Sequence, residues 1–204
     1  MPARFAVLVL LLIGLAACSG TVKVHNFHVP SPTGLEPLSG KYAGLVQSGA
    51  WNLTTKPVGW TCSAWSYETD INAPYERAMK KLLQDSVEEL VFVSETLTPE
   101  EMQAQGFDAQ IFIYQTNASS TFSVATGFIT ATARSEVELS VVVAVTDKNG
   151  LSYQNTVTGK GHGSNMVFAT CNPGDGMNQA VSSAMGDLGK LAALYIREGI
   201  RNRQ

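Results

Sequence analysis

The stretch of this chain best equipped for chemistry is Gly159-Lys160-Gly161-His162-Gly163-Ser164. Its backbone amides could cradle an anion, and Lys160 or His162 could add positive charge. As a general base, His162 would need a carboxylate partner, for which Asp147 and Asp175 can be named. A glycine-rich run binds phosphate when it opens a helix, and no helix start follows here. The run therefore reads as a strand exit or bulge that requires glycine. His25 and His28 stand at a spacing that could hold a metal on a helix, but the segment around them has no helical periodicity. They read as solvated or strand-edge histidines. The chain contains no G-x-S-x-G elbow, no Walker loop and no H-E-x-x-H. No catalytic residue, metal site or cofactor is expected.

Composition narrows the function classes. Fourteen basic residues stand against 17 acidic ones, for a net charge of −3, which is not the basic excess of a nucleic-acid binder. Hydrophobic residues make up 45% of the 204, enough to build a core. The one apolar run, Phe5 to Ala17 behind Arg4, has 13 residues. A membrane-spanning helix needs about 20, so the run matches the apolar region of a secretory signal peptide. Leu15-Ala16-Ala17-Cys18 directly after it resembles the bacterial lipobox. That resemblance implies a Cys18 thiol that is diacylated and becomes the new N-terminus. The mature chain would then have 187 residues (204 − 17) and 13 basic against 17 acidic groups, a net charge of −4. Each buried acyl methylene contributes about 0.8 kcal/mol, and more than one chain gives stable anchoring. Ser19 at the next position, rather than Asp, implies an outer-membrane destination facing the periplasm. With Cys18 acylated, Cys62 and Cys171 remain as an even pair in an oxidising compartment. A disulfide between them would close a loop of about 109 residues, worth roughly 4–5 kcal/mol in the chain-entropy model. Two buried thiols are the alternative. Neither cysteine has a second ligand at zinc-finger spacing.

The elements that position these residues follow from periodicity. Residues 1–17 are the signal, 18–42 read as a Pro- and Gly-rich tether, and 43–204 form one domain. Leu45 to Tyr67 is aromatic and β-leaning, with a strand near Thr61–Glu68 carrying Cys62. Asn72-Ala73-Pro74 offers a cap, and Tyr75, Ala78, Met79, Leu82 and Leu83 share one helical face. Leu90–Val93 reads as a buried strand. Thr98-Pro99-Glu100-Glu101 is a capping box that opens a short helix stopped by Gly106. Asp108–Tyr114 is a strand. The Ser/Thr-rich residues 115–135 form either a hairpin around Thr126-Gly127 or a flexible insertion. Val137, Leu139, Val141, Val143 and Val145 alternate as a strand, Asp147–Gly150 is a hairpin turn, and Leu151–Thr158 returns with Leu151, Tyr153 and Val157 inward. A last helix, capped by Asp175, carries Met177, Ala180, Val181, Ala184, Met185, Leu188, Leu191, Ala192 and Tyr195 in one stripe. Gly186 and Gly189 would let it approach the sheet. The expected class is α+β: a mixed, mostly antiparallel sheet with helices on one face.

The order of elements resembles small outer-membrane lipoproteins of the YajG type. More distantly, it is similar to the α/β core of CsgG-like curli-secretion, LpoB-like activator and TolB N-terminal domains. The matching residues are the lipobox, the helix Tyr75–Leu83, Asp108–Ile113, the hairpin Val137–Thr158 followed by Gly159 and Gly161, and the helix Met177–Ile200. The resemblance implies a scaffold, pore subunit or activator with no family-wide catalytic residue. The expected function is a non-enzymatic, lipid-anchored scaffold or accessory subunit of an envelope complex. Its partners would be the membrane, through the anchor, and an envelope protein or a second copy; nucleic acid is not expected. Trp51, Trp60, Trp65 and Tyr67 are the candidate contact surface, since interfaces favour such rings, unless the rings fill the core. A carrier of lipid or another apolar ligand is the alternative, and it would need a cavity beneath the sheet.

Overall fold

The computed structural model describes residues 18–24, 27, 29, 36–59, 62–63, 65–126, 131–167 and 171–202. His25, His28 and Trp60 lie outside them. Nine strands and three helices follow in the order β1 (Cys18–Lys23), β2 (Leu38–Gln47), β3 (Leu53–Thr55), β4 (Pro57–Val58), β5 (Trp65–Asp70), α1 (Asn72–Ser86), β6 (Val87–Phe92), α2 (Pro99–Gln105), β7 (Ala109–Thr126), β8 (Ala131–Asp147), β9 (Ser152–Val167) and α3 (Gly174–Arg201) among the described residues. The class is α+β, as the sequence pattern indicates. The large sheet runs β6-β2-β7-β8-β9, with β4 also on β7. A second sheet of three strands, β1-β5-β3, was not foreseen.

The long ladders are antiparallel. β7 pairs with β8 from Ala109↔Asp147 to Thr126↔Ala131, interrupted by one irregularity between Gln115 and Asn117. The Ser/Thr-rich stretch is therefore hairpin rather than insertion: Thr and Ser tolerate the pleat, and alternation places Phe122 and Ala133 inward at 0% exposure. β9 likewise extends past Thr158 to Val167. Leu151 sits in the turn at 62% exposure instead of on the inner face.

Both major helices pack on the inner face. α1 buries Tyr75, Ala78, Met79, Leu82 and Leu83, the stripe read from the sequence. Its N-cap is Ile71, and Asn72 is already helical; the Asn72 amide instead donates to the Trp51 carbonyl at 3.0 Å. α3 has 28 residues and an N-cap at Pro173, with Asp175 inside its first turn. The small sheet covers the rest of this face, where Tyr67 meets Phe122 edge-on at 5.9 Å and Thr55 hydrogen-bonds Ser120. α2, opened by the expected capping box and closed by Gly106 at φ 71°, adds a separate cluster of Met102, Phe107 and Ala43.

The glycine run is what lets α3 lie on β9. Alternate strand residues share a face, so Gly159, Gly161 and Gly163 form a smooth stripe. A Cβ on each would strike, in turn, the carbonyl oxygens of Ala184, Ala180 and Gly176. Two strand residues advance about 6.7 Å and four helix residues about 6 Å, so the backbone contact repeats nearly in step. On the helix side, Gly186 faces open space, and Gly189 meets Val29 rather than the sheet.

Two further expectations change. The tether is folded over part of its length: β1 pairs with β5 from Cys18 onward, Val29 is buried, and β2 begins at Leu38. Proline and glycine there break periodicity without preventing strand pairing. β6 is an outer strand of its sheet rather than a buried one, which leaves Val91 41% and Phe92 36% exposed.

Candidate functional site

Cys18, the lipid acceptor of the lipobox reading, opens β1, and the parallel register sets it beside Trp65 at the start of β5. Neighbouring strands lie about 4.8 Å apart, so the acceptor residue belongs to the sheet edge itself. Trp65 is half-buried and stacks on Tyr67 with ring centroids 6.1 Å apart. The Tyr67 hydroxyl donates to the Cys171 carbonyl. Cys171 is joined to Cys62 as a disulfide, with Cα atoms 5.6 Å apart, a separation ordinary for such a bond. Cys62 takes a left-handed turn conformation, φ 63°, and the Trp65 amide donates back to its carbonyl at 2.9 Å. This reversal aims β5 back into the small sheet. The covalent link fastens it to the residues ahead of α3.

The aromatic contact surface is not brought together. Trp51 is 4% and Tyr67 3% exposed, so both belong to the core. Trp51 meets Tyr75 edge-on at 4.7 Å. The amides of Ala50 and Trp51 donate to Gln115 Oε1 at 2.8 and 3.2 Å, fixing the loop after β2 onto β7. Of the three described rings, Trp65 is the one that reaches the surface.

Lys160 and His162 point away from the glycine face, on the outer side of β9. His162 Nδ1 lies 3.7 Å from Glu136 Oε1, and Lys160 Nζ lies 3.1 Å from Glu138 Oε2. These are cross-strand neighbours by register, so the carboxylate nearest His162 is neither Asp147 nor Asp175. An exposed pair such as Lys160–Glu138 contributes about 0.2–1 kcal/mol, and His162–Glu136 is an ion pair only when the imidazole is protonated. A cleft of about 320 Å³ on this face is lined by these four residues, among others, and one of about 350 Å³ by Glu136 and His162 with Arg134, Ser164 and Gln179.

A cleft of about 390 Å³ at the other end of the molecule is lined by Ser39, Tyr42, Asp108, Asp147 and Lys148, among others. Asp108, Asp147, Tyr42 and Lys148 there already hold structure. Asp108 accepts from the Lys41 amide at 3.2 Å and from Lys148 Nζ at 3.1 Å, and these bonds hold its carboxyl below the ordinary range. Asp147 Oδ1 accepts from the amides of Asn149 and Leu151 at 2.9 and 2.8 Å, which shapes the turn. The Tyr42 hydroxyl donates to the Ser39 carbonyl at 2.8 Å, and burial pushes its pKa up. Among the described residues, no group of three or more His, Cys, Asp or Glu could hold a metal ion. Among them also, no helix is long and apolar enough to cross a membrane.

No protein-family model matches the chain, and no curated protein sequence does. Similar solved structures include XCC0632 from Xanthomonas campestris, a DUF330 protein, at 11% identity and TM-score 0.49, covering 90% of this chain and 99% of that one. A protein described as a neuraminyllactose-binding hemagglutinin homolog from Helicobacter pylori aligns at 9% identity and TM-score 0.41, over 85% and 91% of the two chains. Lipoprotein GNA1162 from Neisseria meningitidis aligns at 13% identity and TM-score 0.27, over 81% and 99%. At these identities no residue role or activity transfers.

What sequence reading missed is the surface around Cys18. Val58 and Met166 stand 61% and 68% exposed there. The signal was available: no Asp, Glu, Lys, Arg or His occurs in residues 57–67, 109–133 or 163–174.

Proposed function

We propose that this chain is a lipid-anchored envelope protein without chemistry of its own, serving as a scaffold or accessory subunit of a complex at the outer membrane, on its periplasmic side. The observation that supports this best is that the lipobox cysteine lies in a strand, β1, paired with β5. Acylation there ties the folded body directly to a bilayer. The YajG-type resemblance of the sequence points the same way. Asp108, Lys148 and Asp147 of one cleft, and Lys160 and Glu138 of another, are engaged in a turn and ion pairs, which suits a structural role. An open sheet edge at β6, with Val91 and Phe92 exposed, offers a docking strand, since outer strands present unpaired backbone groups. The carrier reading finds less support, because the clefts described are shallow and polar residues make up most of their lining, with core side chains limited to Tyr42, Ala109 and Ile200 in one and Val137 in another.

The test is in-cell photo-crosslinking of the full-length protein with probes at Val91 and Phe92, read by mass spectrometry. The scaffold reading expects adducts to one envelope protein or to a second copy. A strictly monomeric protein that captures no protein at any probe position would contradict it.

A further inference from the structure

We infer that the end of the molecule bearing Cys18 is a bilayer-contacting surface, seated on phospholipid headgroups and the upper acyl region. This rests on the lipid-anchor reading and specifies how the anchored body lies. Four segments converge at that end. β1 starts there at Cys18, beside Trp65. β4 reaches it at Val58, paired with Ser123 of β7. The β7–β8 ladder reaches it at Thr126↔Ala131, and β9 runs alongside, Met166 pairing with Thr132. The Cys62–Cys171 disulfide binds the two connections between them.

Charge is what sets this end apart. Residues 18–22, 57–67, 119–133 and 163–174 hold no Asp, Glu, Lys, Arg or His. The positions of those types that bound these segments are Lys23, Lys56, Glu68, Arg134, His162 and Asp175, and Arg134, across from Ser123, marks the row in which Val58 stands as the border of the uncharged end. Charged residues are 15% of the chain as a whole, so an end at which the described residues of four separate segments carry no charge is a feature of the fold. Val58 and Met166 are exposed large hydrophobic side chains within it. Trp65 is half-buried at the same end, and amphipathic rings of this kind favour the headgroup level.

Geometry selects the occupant. A surface lacking charge could meet a protein or a membrane. Here the acylated residue is already part of the strand, and no spacer separates it from the sheet. The acyl chains hold this end within a few ångströms of the headgroups, about the width of a strand. A protein partner would have to displace lipid from beneath the anchor. The small apolar contribution of Val58, Met166 and Trp65 adds to the acyl chains and fixes orientation rather than supplying affinity. The opposite end, with the Asp147–Gly150 turn and α2, then projects away from the membrane.

A photo-reactive diazirine amino acid at Val58, Met166, Leu151 or Leu194 tests this in the full-length protein in cells. All four sites are exposed, at 61%, 68%, 62% and 55%, so substitution leaves the core intact. After irradiation, phospholipid adducts are quantified by mass spectrometry, and the acylation state of Cys18 is read on the same samples. The expected result is a yield of phospholipid adduct at positions 58 and 166 at least fivefold that at 151 and 194. Equal yields at all four sites, or adducts at 58 and 166 to a protein in place of lipid, would overturn the orientation while leaving an acylated Cys18 intact. A Cys18 without acyl groups would overturn both the orientation and the anchor reading.

Discussion

The two ends of this molecule are held together by different physics. At the Cys18 end the ties are a disulfide, stacked rings and a helix laid directly on strand backbone. At the far end they are charged and polar. Lys148 pairs with Asp108, the Lys41 ammonium donates to the Gln105 carbonyl at 3.1 Å, and the Gln103 amide donates to the Lys148 carbonyl at 2.8 Å. The buried Arg197 guanidinium donates to the Glu36 carbonyl nearby. Ion pairs in water cost little to form and contribute little, and they suit an end surrounded by solvent. An end facing lipid cannot use them without desolvating charge, so covalent and close-packed contacts carry its stability.

The largest expected effect comes from cutting the covalent tie. Cys62→Ser with Cys171→Ser releases a loop spanning 109 residues and lowers unfolding free energy by about 4–5 kcal/mol, read by urea denaturation with and without reductant. An unchanged midpoint would mean that the rings and glycines suffice. Next is Gly161→Ala. Its methyl would fall on the Ala180 carbonyl of α3, and overpacking against backbone costs about 3 kcal/mol, the upper end for such insertions. Gly186→Ala, which meets nothing, is the control and should stabilise slightly through helix propensity.

These two glycines show where sequence legibility stops. The stripes of α1 and α3, the Thr98 capping box and the Asp147–Gly150 turn were all readable, because each is a local pattern. Gly159, Gly161 and Gly163 read as a strand exit or bulge, whereas they lie within the unbroken ladder of β9. Their purpose depends on which helix crosses them, and nothing in the run itself shows that α3, starting at Gly174, folds back over the strand that precedes it. Likewise Leu90–Val93 looked buried because the run is apolar, yet exposure depends on its place at the sheet edge. Trp51 and Tyr67 looked like contact residues because of their type, whereas Gln115 and Phe122, distant in sequence, are what hold them inside. The Cys18 end was legible only as an absence of charge in separate segments, which the strand register then assembles.

At the far end the effects are smaller. Thr98→Ala removes the acceptor for the Glu101 amide and half of a capping box, for a loss of about 1 kcal/mol. Glu101 is held below the ordinary carboxylate range by its bonds to the Thr98 backbone and side chain. Smallest is the pH effect. The bonds from the Lys41 amide and Lys148 lower the folded-state pKa of Asp108, so its contribution is present above the unfolded value of about 4. It is lost as pH falls through the lowered folded value. Thermal melts below pH 4 should show a shallower loss in Asp108→Asn than in the parent. Parallel curves would remove Asp108 from the account.

The most direct test of the central claim is the mass of the protein extracted from the membranes of the cells that make it. The account predicts a chain starting at Cys18, 187 residues long (204 − 17), with a diacylglyceryl group on the sulfur, and a Cys18→Ser variant that is neither processed nor acylated. A chain cleaved elsewhere, or one with an unmodified Cys18 thiol, would contradict the anchor and, with it, the assignment of the uncharged end to the bilayer.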